Sequence, residues 1–263
     1  PLLIILRHQR GPKGAPPIAL VGKAVTFDTG GISIKPAAHM GEMIWDKCGG
    51  IAVLGAMSAI AELGLKRNVV GLIAAAENMP SATAFRPGDI VTTYDGKHVE
   101  ITNTDAEGRV VLADAIAYAR KECKAAAVID LATLTGACGV ALGEHAAGFW
   151  SNDEPLAARV AAAAERAGER LWRMPLFSEY EEQIKSDVAL IKNASGRLGA
   201  ACTAAAFLKT FAEETPWVHL DIAYTAHRTK DGADLARGAT GFGVRTLVEL
   251  VEAWRGEPRG QRD

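Results

Sequence analysis

Apolar and amphipathic stretches alternate along the chain. Leu2–Leu6 and Ile18–Phe27 are short, nearly continuous apolar runs, the second rich in Val and Ala, and both predict strands. Gly49–Leu65 carries apolar side chains at helical spacing through Ile51, Leu54, Met57, Ile60 and Leu63, which predicts a helix. Asn68–Ala75 is apolar throughout, as a strand buried on both faces would be. Ile90–Tyr94 and His98–Thr102 flank Asp95-Gly96, a strong hairpin signal. Helices are then expected at Arg109–Lys121, Pro155–Arg170, Ala200–Glu214 and Arg245–Trp254, with strands at Ala125–Ala132 and Trp217–Ile222. This alternation predicts the α/β class: a three-layer α/β/α sandwich around a central, mostly parallel (mixed) sheet. With no internal repeat and no low-complexity linker, residues 1–263 read as one domain.

Composition narrows the function. Hydrophobic residues make up 49% and charged residues 23%, enough to build a sizeable core. The net charge is −2, from 29 basic and 31 acidic residues, so no broad basic face for nucleic acid is expected. No uncharged apolar run reaches the roughly 18 residues of a membrane span. Pro1–Arg7 is too short for a signal core, and the chain does not open with Met, so it is expected to begin inside a longer protein. Cys48, Cys123, Cys138 and Cys202 are scattered and form no CxxC pair. Buried free thiols in a reducing, cytoplasmic setting are the expectation.

Candidate chemistry falls where strands end, the usual ligand position in such sheets. Val21–Lys35 runs a strand into Asp28 and a Gly30-Gly31 turn, with Lys23 before it and Lys35 after it. Lys23 lies in a segment that otherwise looks buried, which is costly unless the amine is neutral or paired. Asp46 stands just before Gly49-Gly50 and a helix, and Asp105 and Glu107 stand two apart at the head of another. Helix N-termini suit carboxylates or a bound anion. Four carboxylates in one cleft would repel one another, and two divalent cations would balance them. Oxygen donors with one amine admit Zn²⁺, Mn²⁺, Mg²⁺ or Co²⁺. Taken singly, each piece has a plainer reading: a turn at Asp28-Thr-Gly-Gly31, a surface lysine, a helix cap at Asp105 or Asp46.

Asn103-Thr-Asp-Ala-Glu-Gly-Arg109 resembles the signature segment of the leucine (cytosol) aminopeptidase family, with Val110 where Leu is common. Val21-Gly-Lys-Ala-Val-Thr-Phe-Asp-Thr-Gly-Gly31 resembles that family's first metal-binding segment. The likeness continues through Arg86-Pro-Gly-Asp89, Leu131-Ala-Thr-Leu-Thr-Gly136, Trp172-Arg-Met-Pro-Leu176, His219-Leu-Asp-Ile-Ala223 and Gly238-Ala-Thr-Gly241. The resemblance implies a two-metal exopeptidase acting on peptides with a free N-terminus, with a leucine-type preference. It implies that Lys23, Asp28, Asp46 and Glu107 hold one metal, and Asp28, Asp105 and Glu107 the other. It further implies that Lys35 polarises the substrate carbonyl and that Arg109 holds a bicarbonate acting as general base. Met43, Thr133, Gly136, Ala223 and Ala226 match positions lining the pocket for the first side chain, and backbone around Thr133 and Leu134 would bind peptide and bicarbonate. Family members assemble as hexamers, so a homo-oligomer is implied, with no membrane and no nucleic-acid partner.

The family usually carries a preceding domain of about 150 residues. The likeness here starts almost at once, so the chain is either a fragment or a shortened member. Two rivals compete with this reading. A phosphotransferase is suggested by Gly22-Lys23 beside Asp28-Thr-Gly-Gly31, but there is no G-x-x-x-x-G-K-[ST] run. A non-catalytic scaffold or binding protein retaining the fold is the other. His39 reads as a solvated loop residue and His219 as a hydrogen-bonded core residue. Glu179-Tyr-Glu-Glu182 reads as a surface helix start, and Arg228, Lys230 and Asp231 as an exposed loop.

Overall fold

A computed structural model describes residues 1–232 and 235–254. The chain runs through β1 (Leu2–Gln9), β2 (Ile18–Asp28), a 3₁₀ turn (Met40–Trp45), α1 (Cys48–Glu62) and β3 (Asn68–Asn78). There follow β4 (Ile90–Thr92), β5 (His98–Glu100), α2 (Glu107–Lys121), β6 (Ala127–Ala132), α3 (Gly136–Leu142) and β7 (Ala147–Ser151). Next come α4 (Glu154–Ala167), β8 (Leu171–Arg173), α5 (Ser178–Gln183), β9 (Ile191–Lys192) and α6 (Ala200–Ala212). The last described elements are β10 (Trp217–Asp221), β11 (His227–Arg228), β12 (Gly238–Ala239) and α7 (Val244–Ala253).

Seven strands form the central sheet in the order β1-β3-β2-β6-β10-β7-β8. The neighbours β3/β2, β2/β6, β6/β10 and β7/β8 are parallel; β1 on β3 and β7 on β10 are antiparallel. The sheet is therefore mixed and mostly parallel, as expected. Alternation along β2 divides the core. Ala19 and Val21 pack with Leu112, Ile116, Phe207 and Phe211 of α2 and α6. Ile18 and Leu20 pack with Val53, Ile60, Val160 and Leu250 of α1, α4 and α7. Both faces are covered, so the central strands are apolar throughout rather than alternating. A separate small sheet, β4-β5-β9, contains the expected hairpin.

Several boundaries differ from the pattern for local reasons. α1 stops at Glu62, short of Leu65, because Gly64 turns the chain at φ 61°. α4 stops at Ala167, short of Arg170, where Gly168 caps it at φ 68°. β7, β8 and α3 escaped the periodicity reading because they are short and, in β7 and α3, interrupted by Gly148 and Gly139. Met40–Glu62 is long and apolar enough to cross a membrane by length and composition. Here the 3₁₀ turn and α1 lie on the sheet, with Val53, Ala56 and Ile60 in the core.

Glycines bring α1 unusually close. A Cβ on Gly22 would fall 2.5 Å from Gly50 Cα, and one on Gly49 would fall 2.2 Å from the Leu131 carbonyl oxygen. The start of α1 therefore sits directly on β2 and β6, which holds the preceding Asp46 over the strand ends.

Candidate active site

β2, β6 and β10 run parallel and deliver Asp28, Thr133 and Asp221 to one end of the sheet. A cleft of about 790 Å³ opens there, lined by Lys23, Asp28, Lys35, Asp46, Asp105 and Arg109 among others. Lys23 projects from the apolar β2 and is almost fully buried. Its amine lies 2.8 Å from Asp46 Oδ2 and 2.8 Å from Glu107 Oε1, and donates to the Thr133 carbonyl at 3.3 Å. Room for that amine comes from Gly108, where a Cβ would fall 2.6 Å from Lys23 Nζ. Thr133 Oγ1 donates to Asp46 Oδ1 at 2.7 Å, tying the β6 loop to the segment before α1.

Asp28 ends β2. Its Oδ1 accepts from Gly30 N–H at 2.9 Å and Asn78 Nδ2 at 2.8 Å, while Oδ2 faces Lys35 Nζ at 2.9 Å. Lys35 also bonds Asp105 Oδ1. Gly30 and Gly31, at φ 88° and 67°, make the turn that swings Lys35 back over the strand end. Asp28, Asp105 and Glu107 each offer an oxygen, and these lie within 4.8 Å of one another. Arg109 is buried and donates Nη1–H to the Asn193 carbonyl at 2.8 Å.

The electrostatics are unbalanced. Burial drives the carboxyl of Glu107 up to about 7 and also raises Asp46 and Asp105. Burial opposes the charge on Lys23, but Asp46 and Glu107 outweigh it and hold the amine protonated well above the usual lysine value. Before any cation is bound, Lys23 is thus the counter-charge; to serve as a ligand it must give up that proton. Burial lowers the Arg109 guanidinium to about 10. Among the described residues, Asp46 Oδ2 and both oxygens of Glu107 are buried with no well-directed hydrogen-bond donor beyond the Lys23 amine that faces Asp46 Oδ2 and Glu107 Oε1. Buried carboxylate oxygens normally have partners. A hard divalent cation is the ligand this oxygen-rich set fits.

Met43, Thr133, Leu134, Gly136 and Ala223 also line the cleft. Ala226 differs: it is buried among the side chains packed between the sheet and α1, α4 and α7. His39 lies exposed at the rim, bonded to Glu42. His219 is a core residue, its Nδ1 2.6 Å from Asp130. Three further residues support the site, though hydrophobic periodicity singles out none of them. Asn78 holds Asp28. Asn193 braces Asn103 and Ala106 through its side-chain amide and accepts the Thr102 N–H. Asp221, buried at the end of β10, accepts from Leu134 N–H at 3.1 Å, Thr135 Oγ1 at 2.6 Å and Ala223 N–H at 3.2 Å.

Fold and cleft together define an α/β sandwich protein with an acidic, cation-suited pocket at its strand carboxyl ends. The chain belongs to the cytosol aminopeptidase family: the model of that family's catalytic domain matches residues 1–248. It is 55% identical over 256 residues to a probable cytosol aminopeptidase of Cenarchaeum symbiosum, covering 96% of this chain and 52% of that protein. The corresponding protein of Roseiflexus castenholzii is 53% identical, covering 97% and 52%. Among solved structures, the bottromycin maturation enzyme BotP in complex with Mn superposes with a TM-score of 0.90 at 42% identity, over 95% of this chain and 55% of that one. The chain thus spans about half the length of the curated relatives it matches.

Proposed function

We propose that this chain is a metal-dependent aminopeptidase domain that removes the N-terminal amino acid from peptides, with a preference for leucine-like first residues. The observation that carries the reading is the set of buried, donor-poor oxygens of Asp46 and Glu107 beside Asp28 and Asp105, in a cleft of a chain from this family. Lys23, Asp28, Asp46 and Glu107 would hold one divalent ion and Asp28, Asp105 and Glu107 a second, either zinc or manganese. Such ions supply Lewis-acid chemistry, making water a nucleophile near neutral pH.

The chain's own groups do the rest. Lys35, held between Asp28 and Asp105, presents an ammonium to the oxygen that gains negative charge during attack. Arg109 is anchored through Nη1 to Asn193, and among the described residues its Nε has no partner, a donor suited to a small anion such as bicarbonate. Backbone at Thr133 and Leu134 orients the peptide, and Met43, Gly136 and Ala223 bound the space for its first side chain. Residues 1–263 act as one catalytic domain, cytoplasmic, in a homo-oligomer, a hexamer.

Incubating the purified chain with Mn²⁺ or Zn²⁺ and leucine p-nitroanilide tests this. Release of nitroaniline is expected, and N-acetylation of the substrate should abolish it. A folded chain that turns over no unblocked aminoacyl reporter with any of these metals would instead be a binding scaffold.

A further inference from the structure

Tyr224, in the loop after β10, lines the cleft and is 42% exposed. Its backbone is fixed on both sides, since Ala223 N–H is held by Asp221 and Thr225 N–H by the Ile222 carbonyl at 3.1 Å. Its ring lies directly on Gly139, in the middle of α3. A Cβ at Gly139 would fall 2.1 Å from Tyr224 Cδ2 and 2.3 Å from Cε2. Glycine is disfavoured inside a helix relative to alanine. Its presence here, at an ordinary helical φ, is accounted for by the ring it seats. The far end of the ring reaches Gly136, which also lines the cleft: the phenol oxygen is 3.9 Å from where a Gly136 Cβ would stand.

We propose that Tyr224, seated on Gly139, is a specificity-determining residue, forming a fixed aromatic wall that favours large apolar first residues over small ones. This rests on the aminopeptidase reading above. The surroundings support the direction of the effect. Gly136, Ala137 and Ala223 are small, so the ring is the broad apolar surface beside them. A branched or aromatic side chain carries apolar area to pair with that surface, whereas a single methyl carries little. Discrimination then comes from apolar contact, where even one methylene supports a preference of about tenfold or more.

The test uses the full chain loaded with Mn²⁺ and compares kcat/KM for leucine and alanine p-nitroanilides. Tyr224→Ala should lower the leucine-to-alanine ratio by about tenfold. Tyr224→Phe, which keeps the ring, should hold the ratio. Gly139→Ala must displace the ring and so should also lower the ratio, but only while Tyr224 is present. In the Tyr224→Ala background it should add nothing, which a merely structural loss at α3 would not reproduce. The ratio surviving Tyr224→Ala, or Gly139→Ala acting equally in both backgrounds, overturns the proposal while leaving an aminopeptidase standing. Lack of turnover of both reporters by the unsubstituted chain overturns the underlying activity, and this inference with it.

Discussion

Glu107 and Asp221 are two carboxylates of the same neighbourhood, nearly equally buried, and they end in opposite states. Asp221 accepts from two backbone N–H groups and a hydroxyl, and it stitches the loop after β6 to the loop after β10. Glu107 has neither oxygen paired with a well-directed donor, and Lys23 is its close cation. A buried acid that serves the scaffold is covered by donors from its own chain. One left with a single cation and no directed donor is open to a ligand that arrives from outside. The contrast separates supporting from ligand-holding groups even though both lie at the same end of the sheet.

Removing Glu107 should have the largest effect. Glu107→Ala is expected to lose bound metal and to lower kcat/KM by roughly a thousandfold or more, read by metal analysis beside reporter turnover. Full metal occupancy in that variant would contradict the ligand set. Lys35→Ala keeps every carboxylate, so metal content should hold while kcat drops by about 10²–10³. Asp221→Ala exposes the other side of the contrast. It strands Leu134 N–H, Thr135 Oγ1 and Ala223 N–H, and should cost about 3 kcal/mol in chemical denaturation. Thr135→Val removes one donor to Asp221 and also the α3 N-cap acceptor of Cys138 N–H, and should cost about 2 kcal/mol.

The mildest expected effect concerns pH. In chelator-treated protein, burial raises the Glu107 pKa from 4.5 to about 7, so the folded chain binds more protons than the unfolded chain across that interval. Stability contributed by the protonated group is complete below pH 4.5 and is lost as pH rises through about 7. Glu107→Gln should flatten that decline. An unchanged slope in denaturation midpoints across the window would show that Glu107 is not its source.

Much of the architecture was legible in the sequence because the interior strands are buried on both faces and leave continuous apolar runs, as at Ile18–Phe27 and Asn68–Ala75. Lys23 was legible for the converse reason, a cation set in one of those runs. Sequence could not reveal Asn193, which reaches Asn103 across 90 positions, or Asn78, which reaches Asp28 across 50. A lone asparagine at a strand end, like Asn78, or just beyond one, like Asn193, has no period to betray it. Gly108 and Gly139 were equally silent, since what a missing Cβ admits depends on which distant side chain folds against it. Ala226 shows the reverse limit: a motif position can match while its methyl turns into the core.

The glycine contacts beneath α1 bear on how such a protein can evolve. With Gly49 against the Leu131 carbonyl and Gly22 against Gly50, every replacement at these positions inserts atoms into backbone. The floor of the cleft is accordingly closed to mutational drift, and the strands and Asp46 inherit that immobility. Divergence toward new substrates is channelled instead into the loops above, where the far end of a side chain such as Tyr224 can change without inserting atoms into backbone.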